Sequence, residues 1–384
     1  MEENTVTPST PPPLAGPLPP QLTPPPVIVP PPSTPPRRQG RGWMILALVV
    51  LVLLGISVLF NLGHMVCSIV PGKSPRANGI GPRLEEIITE DNEASSKIAV
   101  IEVDGVITGR AIDQGGFSIV DVIKTQLKRA EEDEKVKAVI LKVDSPGGEV
   151  LASDEISRAI ADFQSKSHGK PVVCSMGSLA ASGGYYVSAP CRWIVANDLT
   201  ITGSIGVIMS TWNYRGLMDK VGVRPETFKS GKYKDMLSGS REPESITQDE
   251  RDMVQSLISE PYQKFKGVVE AGRKRAQAKN NDKGRALAEN WANFADGRIL
   301  SGTEAFKLGF VDELGTFDDA VKRTKSIAGI QSANLIEYQQ RYDISDLFRL
   351  FGQTESKAVK LDLGVEMPKL QAGQLYFLSP TFLH

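Results

Sequence analysis

Between Lys97 and Met209 the sequence switches repeatedly between a strand-like and a helix-like period, and this alternation restricts the fold more than any other feature. The stretches "KIAVIEVDGVI" (97–107), "AVILKVDSPGG" (138–148), "PVVCSMG" (171–177), "RWIVAN" (192–197) and "ITGSIGVIM" (201–209) are rich in β-branched residues and end in turn chemistry, so they read as strands. Between them, "VDVIKTQLKRAEED" (120–133) has apolar residues at helical spacing. "VLASDEISRAIADF" (150–163) carries Ala152, Ile156, Ala159, Ile160 and Phe163 on one helical stripe. Strands that alternate with helices need crossover connections, which implies an α/β fold around a largely parallel sheet.

In such sheets, sites form where the chain leaves the carboxyl ends of strands. Two glycine-rich stretches do so here, "DSPGGE" (144–149), where Pro146 and two glycines stop a strand, and "MGSLAASGG" (176–184). Glycines let backbone N–H groups approach a ligand closely. Ser182 stands between two alanines and two glycines, so nothing bulky shields its hydroxyl. It reads either as a small residue at a tight turn or as a nucleophile. The start of a helix beside it would supply free N–H groups for a developing oxyanion.

A serine hydroxyl stays inert until a base takes its proton. The chain has three histidines. His64 belongs to an apolar amino-terminal segment, His384 is the last residue, and His168 precedes a strand at the end of the sheet opposite Ser182. That leaves a lysine base or no catalysis. It works only when neutral, so its pKa must fall by about 3 units, which costs on the order of 4 kcal/mol at neutral pH. "FKSGKYKDML" (228–237) offers Lys229, Lys232 and Lys234, and spacing alone does not rank them. Lys234, between Tyr233 and Asp235 and ahead of an apolar pair, is placed to turn inward.

The amino-terminal region has a different character. More than half of the 26 prolines lie in residues 1–36, with few large apolar side chains, so residues 1–40 read as a disordered, polyproline-prone tail. From Trp43 to Phe60 no charge occurs, and residues 43–63 are expected to form one transmembrane helix rather than a cleaved signal peptide. Arg37, Arg38 and Arg41 precede it while Lys73 and Arg76 lie further out, which puts the tail in the cytoplasm and the rest outside. A linker (64–94), a globular domain (95–330) and a carboxyl-terminal extension (331–384) follow. In the extension, "LFRLFG" and "GQLYFLSP" offer apolar surface for a neighbouring subunit.

Several function classes find no support. A formal net charge of -1 without a basic aromatic stripe gives no case for nucleic acid. No metal constellation or cofactor motif appears. "GKS" at 72–74 lacks the earlier glycine of a phosphate loop, since Cys67 stands there. Cys174 and Cys191 read as buried free thiols rather than a bridge.

"DSPGGEV", "SMGSLAASGGYYVSAP", "TGSIGVIM", "KSGKYKDMLS" and "DGRILSGTEAFKLGFVDELG", in that order, resemble the signal peptide peptidase A family over residues 96–330. The resemblance implies a membrane-anchored serine endopeptidase of the bacterial cytoplasmic membrane, with a Clp protease/crotonase-like fold and no cofactor. It implies Ser182 as nucleophile, Lys234 as general base and Ser204 as the residue orienting the lysine amine. Oxyanion donors would be the N–H of Gly183 and one from the "PGG" turn, Gly147 ahead of Gly148. Its substrates would be remnant signal peptides and other short apolar peptides. One copy of "AASGG" and no internal repeat fit a short form that closes its sites as a ring-like or dome-like homo-oligomer. The alternatives are a crotonase-like acyl-thioester enzyme and a non-catalytic membrane scaffold.

Overall fold

A computed structural model describes residues 46–55, 57, 82–111, 116–167, 169–281, 283–340 and 375–378. The chain forms two units, residues 1–78 and 79–384. In the first, α1 (residues 46–55) is helical with its apolar side chains exposed. Most of the remaining expected transmembrane segment and the whole proline-rich tail lie outside the described residues, as do His64, His168, His384 and Cys67. Among the described residues no helix is long and apolar enough to cross a membrane.

The second unit is a mixed α/β fold around a sheet of ten strands. Seven lie in the order β1 (Leu84–Glu90), β9 (Asn334–Gln340), β2 (Lys97–Ile107), β3 (Val136–Glu149), β4 (Val172–Ala181), β5 (Trp193–Ala196) and β8 (Glu313–Leu314). Every neighbouring pair in this row is parallel except β1 with β9. Both faces of the central strands are covered: Ile98, Ala99, Val100 and Ile101 on β2 and Val139, Ile140 and Leu141 on β3 are all buried. That double burial explains why these strands read as unbroken apolar runs.

Helices α2 (Ile119–Glu132) and α3 (Val150–Lys166) follow β2 and β3 as the alternation predicts. Ser118 starts α2 through a capping box with Asp121, accepting from its N–H at 3.2 Å. Ile119, Val120, Ile123, Leu127 and Ala130 of α2 join Ala152, Ile156, Ile160 and Phe163 of α3 in the main core. Further on come α5 (Arg215–Lys220), the 32-residue α6 (Gln248–Lys279), α7 (Gly302–Lys307) and α8 (Phe317–Ala328).

Strands β3 and β4 run further than their sequences suggest. β3 continues through Pro146-Gly147-Gly148 to Glu149, because its register shifts between Val143 and Ser145 and the shifted half pairs with the end of β2. Pro146 falls between the register-paired residues, where a missing N–H costs no ladder bond. β4 likewise continues to Ala181, since Leu179–Ala181 pair in parallel with β6 (Ile201–Gly203). β6 in turn pairs antiparallel with β7 (Ile299–Ser301). Of the expected strand at 201–209, Ile201–Gly203 form a ladder and Ile208 makes an isolated bridge to Tyr376. The folded unit is also wider than 95–330: β1 arises in the expected linker and β9 in the expected extension.

A last strand, β10 (Tyr376–Leu378), pairs antiparallel with the end of β3 in the same chain, with Tyr376 opposite Glu149, Phe377 opposite Gly148 and Leu378 opposite Gly147. The described part of "GQLYFLSP", residues 375–378, thus packs on its own chain, while "LFRLFG" lies outside the described residues.

Candidate active site

Ser182 lies between the last residue of β4 and the first of α4 (Gly183–Ser188). Its φ is 52° and its ψ -115°, a conformation that costs a non-glycine residue about 1–3 kcal/mol. The surroundings impose it. Ser182 N–H donates to Gly203 O at 2.8 Å, and Ser182 O accepts from Tyr186 N–H at 2.8 Å, which opens α4. The residue is 1% exposed, and its Oγ has no hydrogen-bond partner. A buried hydroxyl without a partner forfeits about 1–3 kcal/mol, so this site is kept against the grain of stability. A serine at a strained strand-to-helix turn is the form a nucleophile elbow takes. With six residues, α4 is too short for its dipole to matter, and the polar groups that count are the local N–H groups.

The two glycine turns meet at this point. Gly147 has φ 101°, and a Cβ there would lie 2.6 Å from Gly183 N. A Cβ on Gly183 would lie 2.7 Å from Ser153 Oγ, 3.0 Å from Gly147 Cα and 3.1 Å from Gly148 N. Only glycines allow the two backbones to come this close. The Gly147 N–H already donates to Ser145 Oγ at 3.1 Å. Neither Ser145 nor Ser153 stood out in the sequence; the buried Ser153 Oγ is also without a partner. A helical period marks Ser153 only as a small residue facing inward.

Ser204 is buried and has φ 50°. It follows Gly203, the register partner of Ala181, so Ser182 and Ser204 occupy equivalent places on adjacent strands. Lys234 stands elsewhere. Its side chain is exposed in the single chain, on a turn where its N–H donates to Gly231 O at 3.2 Å, and it makes no hydrogen bond to Ser182. The other two lysines are engaged: Lys229 Nζ donates to Asp235 at 2.7 Å, and Lys232 pairs with Asp249 at 3.6 Å. From Gly206 to Asp249 no residue is buried. The turn is tied to α6 through Arg241, whose Nη1 lies 2.5 Å from Glu250 and 3.6 Å from Asp235.

A buried aromatic cluster packs on α4, the helix that follows Ser182. Tyr186, on α4, stacks on Phe377 with centroids 4.8 Å apart and meets Phe265 of α6 edge-on at 4.8 Å. Its hydroxyl donates to Asp154 at 2.8 Å, and Lys264 and Arg158 each approach the same carboxylate at 2.8 Å. Burial opposes ionisation of Asp154, but these donors outweigh it and hold the carboxyl below the usual carboxylate range. Cys174 and Cys191 are buried free thiols, as expected. Among the described residues no group of His, Cys, Asp and Glu is arranged to hold a metal ion.

A buried serine on a strained elbow, faced by glycine backbone, defines a serine hydrolase. Residues 164–331 match the family described as peptidase family S49. A protein of Methanocaldococcus jannaschii bearing a protease name is 42% identical over 210 residues, 54% of this chain and 61% of its own length. One of Enterococcus faecium, named for signal peptide peptidase SppA, is 37% identical over 260 residues, 67% of this chain and 71% of its own. Protease 4 of Haemophilus influenzae is 34% identical over 242 residues, covering 62% of this chain but 36% of that protein. The chain belongs to peptidase family S49, a family of serine peptidases.

Proposed function

We propose that this chain is a membrane-anchored endopeptidase that cuts remnant signal peptides and other short apolar peptides with a Ser182–Lys234 dyad. The observation that carries the reading is the state of Ser182: buried, strained, its hydroxyl unpartnered, and set against the Gly147 and Gly183 turns. Ser182 Oγ attacks the scissile carbonyl while Lys234 Nζ accepts its proton. The tetrahedral oxyanion is held by the N–H of Gly183 and one from the "PGG" turn. The Gly147 N–H has an acceptor in Ser145 Oγ and Gly148 lies in the ladders with Ile107 and Phe377, so either donor would have to exchange its partner for the oxyanion. Losing one such donor should cost about 3 kcal/mol of barrier. Lys234 then protonates the leaving amine as the C–N bond breaks. Water, deprotonated by the same amine, hydrolyses the acyl-enzyme and restores Ser182.

The dyad needs closure, since a lysine base must leave water. In the segment that carries Lys234, Trp212, Leu217, Val221, Val223 and Phe228 are all at least half exposed. Apolar side chains gathered in this way mark a surface meant to be covered. A second copy packed over 206–249 would cover them and enclose Lys234, and Ser204 would orient its amine. The apolar run 43–63 supplies the anchor, with the catalytic unit on the outer face of a cytoplasmic membrane.

The test is labelling by a serine-directed fluorophosphonate together with cleavage of an apolar peptide by the detergent-solubilised full chain. Labelling should vanish in Ser182→Ala, and cleavage in both Ser182→Ala and Lys234→Ala. Wild-type rates in both variants would refute the mechanism.

A further inference from the structure

Ser153 repeats, on α3, the condition of the nucleophile. Among the described residues five buried side-chain polar atoms have no hydrogen-bond partner, and two of them, Ser182 Oγ and Ser153 Oγ, adjoin Gly183. Ser182 precedes Gly183 in the chain. Ser153 is fully buried in the first turn of α3, the helix that begins directly after the "PGG" strand end. A Cβ on Gly183 would lie 2.7 Å from Ser153 Oγ, nearer than to Gly147 Cα at 3.0 Å or Gly148 N at 3.1 Å. The Ser153 oxygen is therefore the nearest wall of the space that the Gly183 backbone occupies.

The next side chain fixes that wall. Asp154 accepts from the Tyr186 hydroxyl of α4 and from Lys264 Nζ of α6, each at 2.8 Å, so both bonds resist any sliding of α3 on α4. A serine inside a helix ordinarily turns its hydroxyl to the carbonyl three or four residues earlier. Ser153 bonds neither Val150 nor Glu149 in this way. Alanine there would give up no hydrogen bond and would spare the chain an unpaired buried hydroxyl. Stability does not account for the oxygen.

An interaction that is idle in the resting chain and made only as charge develops is the kind that lowers a barrier. A hydroxyl proton rotates to suit its surroundings, so its dipole can answer charge that arises at the Gly183 N–H after attack. We infer that Ser153 is a positioning residue for the oxyanion: its oxygen holds the Gly183 backbone in place, and its hydroxyl turns to favour the charge that the Gly183 N–H receives. This deepens, and rests on, the reading of Ser182 as nucleophile and the Gly183 N–H as oxyanion donor. In this role Ser153 acts through the Gly183 backbone rather than on the substrate.

The experiment uses the detergent-solubilised full chain in three forms, all with Ser182 intact: wild type, Ser153→Ala and Ser153→Cys. Cysteine keeps a similar shape with a far weaker donor. Each form is assayed for the second-order rate of Ser182 labelling by a fluorophosphonate, whose phosphonyl oxygen takes the oxyanion's place, and for kcat and KM on an apolar peptide. Urea midpoints are taken on the same samples. Labelling rate and kcat should both fall by about tenfold or more in either variant. KM should stay within about twofold of wild type, and the Ser153→Ala midpoint should be no lower. Wild-type labelling and kcat in either variant, or losses in Ser153→Ala that follow a lowered midpoint, would overturn this inference and leave Ser182 as the nucleophile. Ser153→Ala alone decides the matter if the cysteine variant fails to fold. A wild-type chain that cleaves the peptide yet takes no label at Ser182 would overturn the nucleophile reading itself, and this inference with it.

Discussion

Ser182 and Ser204 leave adjacent parallel strands one residue beyond the same rung, Ala181 opposite Gly203, and both do so with φ near 50°. They are tethered in sequence as well as in register: Ser182 N–H donates to Gly203 O at 2.8 Å, and Ser204 N–H to Arg298 O at 2.7 Å. Two serines held in a conformation that disfavours serine, side by side, indicate that the position of their hydroxyls matters more than the strain.

The first prediction separates activity from stability at Ser182. Ser182→Ala removes a buried hydroxyl without a partner, and Ser182→Gly also relieves the positive φ, so both should resist urea at least as well as wild type. Glycine should gain about 1 kcal/mol. Cleavage should fall by at least ~10³-fold in each. Unfolding midpoints below wild type would show that the strain is not local to this residue.

The glycine turns should fail in different ways. Gly183→Ala drives a methyl into Ser153 Oγ, Gly147 Cα and Gly148 N, displacing the proposed oxyanion donors, and should lower kcat by about 10²-fold or more. Gly148→Ala puts its Cβ 1.9 Å from Ile107 O in the sheet, so lost stability should dominate there. Thermal melts and kcat measured on the same samples would distinguish the two patterns.

Acid should loosen the segment that carries Lys234. A hydrogen bond from Arg241, with the Thr247 N–H, holds the Glu250 carboxyl at about 2, against about 4.3 in an unfolded chain. The folded value is the lower one. The stabilisation is therefore complete above about pH 5 and is lost as pH falls toward 2. Urea titrations should show Glu250→Gln less stable than wild type at pH 6, with the two converging near pH 2. A gap that persists at pH 2 would assign the effect to something other than ionisation.

The core ion pair should be costly to break and cheap to replace. Arg273 and Asp312 are each 1% exposed, and Arg273 Nη1 also reaches Cys191 O at 3.2 Å. Arg273→Ala strands a buried carboxylate and should cost about 3–5 kcal/mol. The double change Arg273→Met with Asp312→Leu should cost less than the sum of the two single changes. Strict additivity in a double-mutant cycle would contradict direct coupling.

The sequence disclosed the strand–helix alternation because β2, β3 and β4 are buried on both faces, which enriches them in Val, Ile and Ala. It disclosed Ser182 as a candidate because small neighbours flank it on both sides. It concealed the continuation of β3 through Pro146, since a register shift is a property of pairing partners and leaves no local mark. β1 was equally hidden: past Leu84 the strand is exposed, so "EEIITE" shows no buried face. The cluster of Tyr186, Phe265 and Phe377 joins residues from three distant elements, and no period connects them. For Lys234 the motif names the residue, whereas no local pattern marks its side chain as exposed.

Ser182 sits at the end of β4, in the central ladder, whereas the segment from Gly206 to Asp249, which carries Lys234, has no buried residue. The first should keep its amides from exchanging with deuterium for as long as the fold survives, and the second should give them up early. Under the proposed dyad the nucleophile would ride on the stiff side and its base on the pliant one.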